Sequence, residues 1–301
     1  FEMNKLKNCQ KMKLIESYFY LLNEIKLITN NEIESEAETE LIFGSLKLKK
    51  YFGKHFDKID IFGKYSDLVI KKDIISKFNE ILKKRFKGIP IQYILDEAWF
   101  YGHRFHVYED KNSKSLIPRN ETEFIVEGLI KKLKMNKLIK FTALDIGTGS
   151  CCIPISVILN TNKNVCFDAV EPYSFDIANK NISKYKLNSY INLYKIGIDE
   201  IPNIIKKKYD YISANLPYIS KKNKIRELRF EPNEALYAGD DGFSYIKKLI
   251  KILPEILNKN GIAFIEIDPS QSNYFRSLDY FICEIKKDFN NLDRMVTLKF
   301  K

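Results

Sequence analysis

Thr142-Ala-Leu-Asp145-Ile-Gly147-Thr-Gly149-Ser150, running into Cys151-Cys-Ile-Pro-Ile-Ser-Val-Ile-Leu159, reads as a strand, a glycine turn and a helix. Gly147 and Gly149 let the backbone come close to a ligand, and Pro154 is tolerated because it falls in the helix's first turn. Val165-Cys-Phe-Asp-Ala-Val170 follows as a second strand and ends on Glu171. An acid about 20 residues beyond such a turn is placed to bind a pair of ribose hydroxyls. Alone, the glycines read as a structural turn and the acid as a solvated carboxylate. Their order and spacing together favour an adenosine-containing cofactor. A dinucleotide fingerprint would need a third glycine where Cys152 stands in Gly147-Thr-Gly149-Ser-Cys151-Cys152. Asp145, just ahead of the turn, would repel phosphates but suits a cationic methionine amino group. S-adenosylmethionine is the expected cofactor.

The alternation continues outward. Strands are predicted near 141–146, 165–170, 191–196, 209–214 and 262–267, with helices between them, which argues a doubly wound sheet. Tyr280-Phe-Ile-Cys-Glu-Ile285 and Arg294-Met-Val-Thr-Leu298 have no helix between them and are expected as an antiparallel edge hairpin. The predicted class is therefore α/β, a seven-stranded, mostly parallel sheet with a C-terminal antiparallel hairpin. Ahead of it, Leu14, Ile15, Tyr18, Phe19, Leu22 and Ile25 recur at helical spacing, as do Ile74, Ile75, Phe78, Ile81 and Leu82 before Gly88. Residues 1–88 are predicted as a small helical domain, 89–115 as a β-hairpin linker and 116–301 as the sheet domain. Glu32, Glu34, Glu36, Glu38 and Glu40 alternate with other residues, and a solvated, mobile loop is expected there.

The other motif that carries chemistry follows the strand Tyr209-Asp-Tyr-Ile-Ser-Ala214. Asn215-Leu216-Pro217-Tyr218 places an amide side chain, a restrained carbonyl and an aromatic ring around one small volume. Leu216 precedes a proline and is pushed out of the helical region, which restricts the direction of its carbonyl. Such a set can hold a planar NH2 group: the Asn215 and Leu216 carbonyls accept one N–H each and Tyr218 covers the flat face. In isolation an Asn-x-Pro is an ordinary turn; the upstream glycine turn gives this one its weight.

Composition narrows the classes. The chain has 301 residues, 45% of them hydrophobic, enough for a buried core. No apolar run reaches the roughly 18 residues that span a membrane. Cys9, Cys151, Cys152, Cys166 and Cys283 form no Cys-x-x-Cys pair, so reduced thiols and no zinc site are expected. His103 and His106 face opposite ways along a strand and His55 stands alone, so no metal is expected. The net charge of +11 comes mostly from scattered lysine. Compositional bias and attraction to RNA or the ribosome explain it equally well. The chain opens on Phe1, so a preceding segment is expected, and the compartment stays open between cytoplasm and an organelle matrix (plastid or mitochondrion).

Taken together, these residues resemble the PrmC/HemK family, the release-factor glutamine N5-methyltransferases. The resemblance is carried by Gly88-Ile-Pro-Ile-Gln92-Tyr-Ile, Phe100-Tyr-Gly102 with Phe105-His-Val107, and Leu116-Ile-Pro118-Arg119-Asn-Glu121-Thr-Glu123. Beyond the glycine turn it adds Asn215-Leu-Pro217-Tyr218-Ile219, Glu231-Pro232-Asn-Glu-Ala235-Leu236, Gly239-Asp-Asp241-Gly242 and Glu266-Ile-Asp-Pro-Ser-Gln271. It implies a Rossmann-like class I methyltransferase, soluble and monomeric, whose substrate is the glutamine of the Gly-Gly-Gln motif in class I peptide-chain release factors. It also implies that the N-terminal domain docks that protein and that nucleic acid is not required. By similarity, Gly147, Thr148, Gly149, Ser150, Cys151 and Glu171 contact the cofactor, as does Asn215. Ile198 lines the adenine pocket, Asn215 to Tyr218 hold the glutamine amide, and Arg119, Glu121 and Glu123 support the site.

This chain departs from the family at four points. Leu216 replaces the first proline of Asn-Pro-Pro-Tyr, Cys151 replaces a loop glycine and is expected to crowd the cofactor or tighten selectivity, Gly197 takes the place of an acid for which Asp199 is the nearest substitute, and Asp96 ends the Gln-Tyr-Ile element. An alternative is an adenine-N6 methyltransferase acting on RNA or DNA, which needs the same acceptors and stack; a non-catalytic binding module is the remaining one. Against the first, ribosomal-RNA dimethyltransferases with Asn-Leu-Pro-Tyr lack the Pro-Arg-x-Glu-Thr-Glu element and the long helical N-terminal domain.

Overall fold

The apolar spacing of the N-terminal region is realised as helices. In a computed structural model, which describes residues 11–135, 140–161 and 165–301, the chain divides into two compact units, one up to Glu97 and one from Ala98 onward. Cys9 lies outside the described residues. In the first unit the short strands β1 (Lys11–Lys13) and β2 (Val69–Lys71) pair antiparallel around α1 (Leu14–Thr29), α2 (Glu32–Gly44), α3 (Leu46–Phe52) and α4 (Lys58–Phe62). After β2 come α5 (Lys72–Phe86) and α6 (Ile91–Leu95). Leu14, Tyr18, Leu21 and Ile25 of α1 bury one face against Phe43 and Phe78.

The acidic run expected as a loop is instead most of α2. Asn31 caps it by accepting from the Glu34 N–H, and Ser35, Glu38, Thr39, Ile42 and Phe43 fall on one buried face. The alternation of glutamates hid that 3.6-residue pattern, and glutamate is itself a good helix former. Glu38 is buried because Arg85 grips its carboxylate with Nε and Nη2, at 2.9–3.1 Å. Burial still pushes the Glu38 carboxyl up, with Arg85 opposing. The stretch Ile91–Leu95, expected within the hairpin linker, is likewise helical, as α6.

The second unit starts with a hairpin of β3 (Ala98–Phe100) and β4 (His103–Phe105). Tyr101 and Gly102 both take positive φ, the turn whose twist suits paired strands. Then follow α7 (Glu123–Met135), β5 (Phe141–Ile146), α8 (Cys152–Leu159), β6 (Val165–Val170), α9 (Phe175–Lys184), β7 (Ile191–Tyr194), α10 (Ile201–Ile204) and β8 (Tyr209–Ala214). The unit ends with α11 (Ser244–Ile256), β9 (Leu257–Glu266), α12 (Ser272–Arg276), β10 (Phe281–Lys287) and β11 (Asp293–Phe300). Seven of these strands form one sheet in the order β10-β11-β9-β8-β5-β6-β7. Strands β5 to β9 run parallel, and β11 runs antiparallel to both β9 and β10, the predicted edge hairpin. One core cluster includes Phe124 and Ile125 of α7, Ile155 of α8 and Phe264; another joins Leu249 and Leu253 of α11 to Ile212 and Ile265.

This topology sets the position of the site. The strand order reverses at β5, flanked by β6 on one side and β8 on the other, and open α/β sheets bind ligands at such a switch point. In register, Ile146 stands beside both Val170 and Ala214. The next residues of the three strands, Gly147, Glu171 and Asn215, therefore leave the sheet at one level. Among the described residues, no helix is long and apolar enough to cross a membrane.

Candidate active site

A cavity of about 320 Å³ opens where those three strands end. Of the residues singled out from the sequence, Gly147, Gly149, Glu171, Ile198, Asn215, Leu216 and Pro217 line it. Thr148, Ser150 and Cys151 of the same loop are buried, and Tyr218, expected around the same volume, is half-buried and is not among the lining residues. Asp199 and Lys248 also line the cavity and pair with one another at 2.5 Å.

One edge is the loop after β5. Gly147, Gly149 and Cys151 take φ of 70°, 56° and 62°. The Gly147 and Thr148 N–H groups donate to the Val170 carbonyl at 3.0 and 3.1 Å, and Cys151 N–H closes the turn on Thr148. The Glu171 carboxylate ties this loop to the next: Oε2 accepts from Gly149 N–H at 2.7 Å, and Oε1 accepts from the Tyr173 and Ser174 N–H groups at 2.9 Å. Cys151 is fully buried and belongs to the core beside Ile153 and Phe167. It is not among the residues that line the cavity; burial pushes its thiol up, so it stays neutral.

Asp145, at the end of β5, is buried and accepts from the Ser213 hydroxyl at 2.6 Å. Burial pushes its carboxyl up to about 6, opposed by the Ser213 and Thr148 hydroxyls.

The facing edge is the loop after β8. Leu216 is buried, and a Cβ on Gly147 would come within 3.2 Å of Leu216 Cδ2. Packing thus restrains the residue that lacks a proline ring. Asn215 Nδ2 donates to Thr122 Oγ1 at 2.9 Å, and the Thr122 hydroxyl donates to Glu266 Oε2 at 2.5 Å. Tyr218 OH lies 3.4 Å from Glu266 Oε1. Glu266 is 3% exposed at the end of β9. Burial pushes it up to about 7; Thr122, Arg294 and Tyr218 oppose the rise and Glu121 adds to it. Burial and the Glu266 charge also push the Tyr218 phenol up.

Two further segments hold this edge. Glu231, buried, accepts from Arg119 Nη2 at 2.5 Å and from Ile117 N–H at 3.3 Å, which pins the stretch before α7. The segment 236–239 bonds backbone to backbone with Ile219 and Lys221. Gly242 lies against Tyr218, and a Cβ there would be 2.4 Å from the Tyr218 carbonyl oxygen. Gln271 Nε2 donates to the Gly242 carbonyl at 2.9 Å.

Thr122, Glu231, Gly242, Glu266 and Gln271 therefore shape the site without having been singled out by chemistry. For Glu266 a signal existed: like Glu171, it is an acid at the carboxyl end of a parallel strand. Among the described residues, no three His, Cys, Asp or Glu side chains gather as a metal-holding group, and Cys151, Cys152, Cys166 and Cys283 are free thiols. The arrangement can hold a ligand across the glycine loop and present it to a planar group held at Asn215.

No protein-family model matches the sequence. The chain is 31% identical over 257 residues to the "Release factor glutamine methyltransferase" of Flavobacterium psychrophilum, covering 78% of this chain and 86% of that protein. It is 33% identical over 240 residues to the protein of the same name from Borreliella burgdorferi, covering 76% of this chain and 78% of the relative. Among solved structures, the ribosomal protein L11 methylase of Lactobacillus delbrueckii subsp. bulgaricus aligns with 65% of this chain and 85% of its own, at 19% identity and a TM-score of 0.43.

Proposed function

The chain belongs to the release factor glutamine methyltransferases, and on that premise we propose that it moves a methyl group from S-adenosylmethionine to the side-chain nitrogen of the glutamine in the Gly-Gly-Gln motif of class I release factors. One observation carries the reading: Asn215 lines the cavity with its Nδ2 already given to Thr122. That leaves Oδ1 as the end free to accept, which an amide N–H requires.

The residues fit the cofactor. Gly147 is so close to Leu216 that a side chain would fill the cradle, Glu171 offers a carboxylate beside it for ribose hydroxyls, and Ile198 gives an apolar wall for adenine. Asp145, a buried carboxylate just behind the glycine loop, suits the ammonium of the methionine moiety. When bound, S-adenosylmethionine supplies an electrophilic methyl group on a sulfonium sulfur.

The protein's share of the work is orientation. An amide nitrogen is a weak nucleophile because its lone pair is delocalised into the carbonyl. Asn215 Oδ1 and the Leu216 carbonyl accept its two N–H bonds, and the lone pair is aimed at the methyl carbon. Orientation of this kind supplies roughly 7–11 kcal/mol at best, and the two carbonyl dipoles stabilise the positive charge that grows on nitrogen. No base is needed before transfer, since the proton becomes acidic only after alkylation. In this reading the helical unit ending at Glu97 docks the release factor.

The test offers labelled S-adenosylmethionine to a release-factor fragment, its Gln→Ala variant and ribosomal RNA side by side. Label on the fragment alone is the expected result. Label on RNA and none on the fragment would replace this function with adenine-N6 methylation.

A further inference from the structure

Accepting the reaction above as its basis, we propose that Glu266 is a positioning residue for the transfer: through Thr122 it turns the Asn215 carboxamide so that Oδ1 meets the glutamine amide, and it does so more strongly as a carboxylate than as a carboxylic acid.

The direction of the chain follows from counting protons. A threonine hydroxyl has one proton to give. Thr122 Oγ1 receives the Asn215 Nδ2 proton at 2.9 Å, so its own proton goes to Glu266 Oε2 at 2.5 Å. Flipping the Asn215 amide would put Oδ1 against Thr122. The hydroxyl would then have to serve Asn215 and abandon Glu266 Oε2, in a place where both Thr122 and Glu266 are buried. An orphaned buried carboxylate oxygen costs more than the hydrogen bond it loses. Glu266 thus selects which end of Asn215 faces the cavity, although it does not touch the substrate.

Its other oxygen, Oε1, lies 3.4 Å from Tyr218 OH. One carboxylate therefore acts on both polar side chains of the Asn215–Tyr218 turn, on Tyr218 directly and on Asn215 through Thr122. As an anion, Glu266 draws the Thr122 proton and, through it, the Asn215 N–H, which adds electron density to Oδ1; hydrogen bonds in such chains strengthen one another. As an acid it keeps Oε2 as acceptor, with the proton on Oε1 toward Tyr218, and the pull weakens. The charged and titratable groups around it are Glu121, before α7, which disfavours ionisation, Arg294 on β11, which favours it, and Tyr218. Arg119 and Asp268 act in turn on Tyr218. With burial these set the carboxyl at about 7, so the stronger, ionised state is gained as pH rises through neutrality.

The experiment measures turnover of the release-factor fragment from pH 6 to 9, with S-adenosylmethionine affinity measured by calorimetry. Thr122→Val keeps the shape and removes the hydroxyl; we expect kcat to fall about 10²-fold, with KM and cofactor affinity within about threefold, and Thr122→Ser to restore the rate. The wild-type kcat rises through a limb near pH 7 that Glu266→Gln lacks, and Glu266→Gln adds no loss to Thr122→Val. A readout free of turnover is the Asn215 side-chain NH2 resonance pair, identified by its disappearance in Asn215→Ala: it shifts with the same midpoint in the wild type and not in Glu266→Gln. Should Glu266→Gln fail to fold, the loss in Thr122→Val and its rescue by serine decide alone. Full rate in Thr122→Val, or a neutral limb that survives in Glu266→Gln, overturns the proposal and leaves the reaction standing. A wild-type protein that leaves the fragment unlabelled removes the reaction and this proposal together.

Discussion

The two edges of the cavity are built in different ways. The glycine-loop edge is held by its own backbone and by Glu171, whose carboxylate gathers N–H groups from the immediately following turn and from Gly149. The Asn215 edge is held by side chains from far along the chain, Thr122 from before α7 and Glu266 from the end of β9, and by close contact with Gly242. A locally built edge tolerates change elsewhere in the molecule. One assembled from distant segments is correct only when the whole sheet is folded, which in the proposed reaction ties competence for substrate to global folding more tightly than competence for cofactor.

The contrast predicts opposite phenotypes, and the largest lies at the far edge. Asn215→Ala removes the oriented acceptor but none of the supports of the glycine loop. Turnover should fall by about 10³-fold or more, equivalent to about 4 kcal/mol at the transition state, with S-adenosylmethionine affinity nearly unchanged by calorimetry. Turnover within tenfold of wild type would reduce Asn215 to a wall of the cavity.

Gly242→Ala attacks the same edge from behind. Gly242 has φ of 77° and leaves no room for a Cβ beside the Tyr218 carbonyl. Strain and collision together should cost about 2–3 kcal/mol in urea unfolding and displace Tyr218, so kcat drops while cofactor affinity follows only the folded fraction. An unchanged midpoint would mean that the 236–242 segment yields, and that the far edge is less tightly assembled than its contacts imply.

How much of each edge could be read in the sequence follows the same division. Gly147, Gly149 and Glu171 were legible because their chemistry is written within one strand-turn-helix-strand unit, where order and spacing carry the information. Asn215, Leu216 and Pro217 were legible as residue types around one volume, whereas Tyr218, expected with them, does not line the cavity; the strands of the sheet were legible too. The relay behind it was not: Thr122 is 93 residues from Asn215 and 144 from Glu266, and no periodicity links them. Glu231, Gly242 and Gln271 stood in recognisable motifs whose physical reason, pinning the 114–119 stretch and the Tyr218 turn, needs tertiary contacts. The misreading of α2 has a different cause. There the information was local, but alternating glutamates looked like solvated chain because Arg85, the partner of buried Glu38, lies on a separate helix.

At the near edge, Glu171→Gln should have the reverse phenotype. An amide has one acceptor oxygen where the carboxylate has two, so its NH2 faces either Gly149 N–H or the Tyr173 and Ser174 N–H groups. Loosening that loop should weaken S-adenosylmethionine binding by about 10- to 100-fold, or about 1–3 kcal/mol, with kcat at saturating cofactor within about threefold of wild type. A large kcat defect at saturation would show that the two edges are mechanically coupled.

The smallest effect is expected at Cys151, where this chain departs from glycine in the same loop. Its φ of 62° puts a non-glycine residue in the left-handed region, at roughly 1–2 kcal/mol. Cys151→Gly relieves that strain. It also removes a fully buried thiol from the core and adds freedom to the unfolded chain, which together oppose the gain by about 1–2 kcal/mol. The net change in unfolding free energy should therefore stay within about 1 kcal/mol. Because Cys151 belongs to the core and is not among the residues that line the cavity, cofactor affinity should not move, and calorimetry on the variant reads this directly. A tenfold change in affinity in either direction would mean that the thiol reaches the ligand after all, and that the near edge depends on core packing as the far edge does.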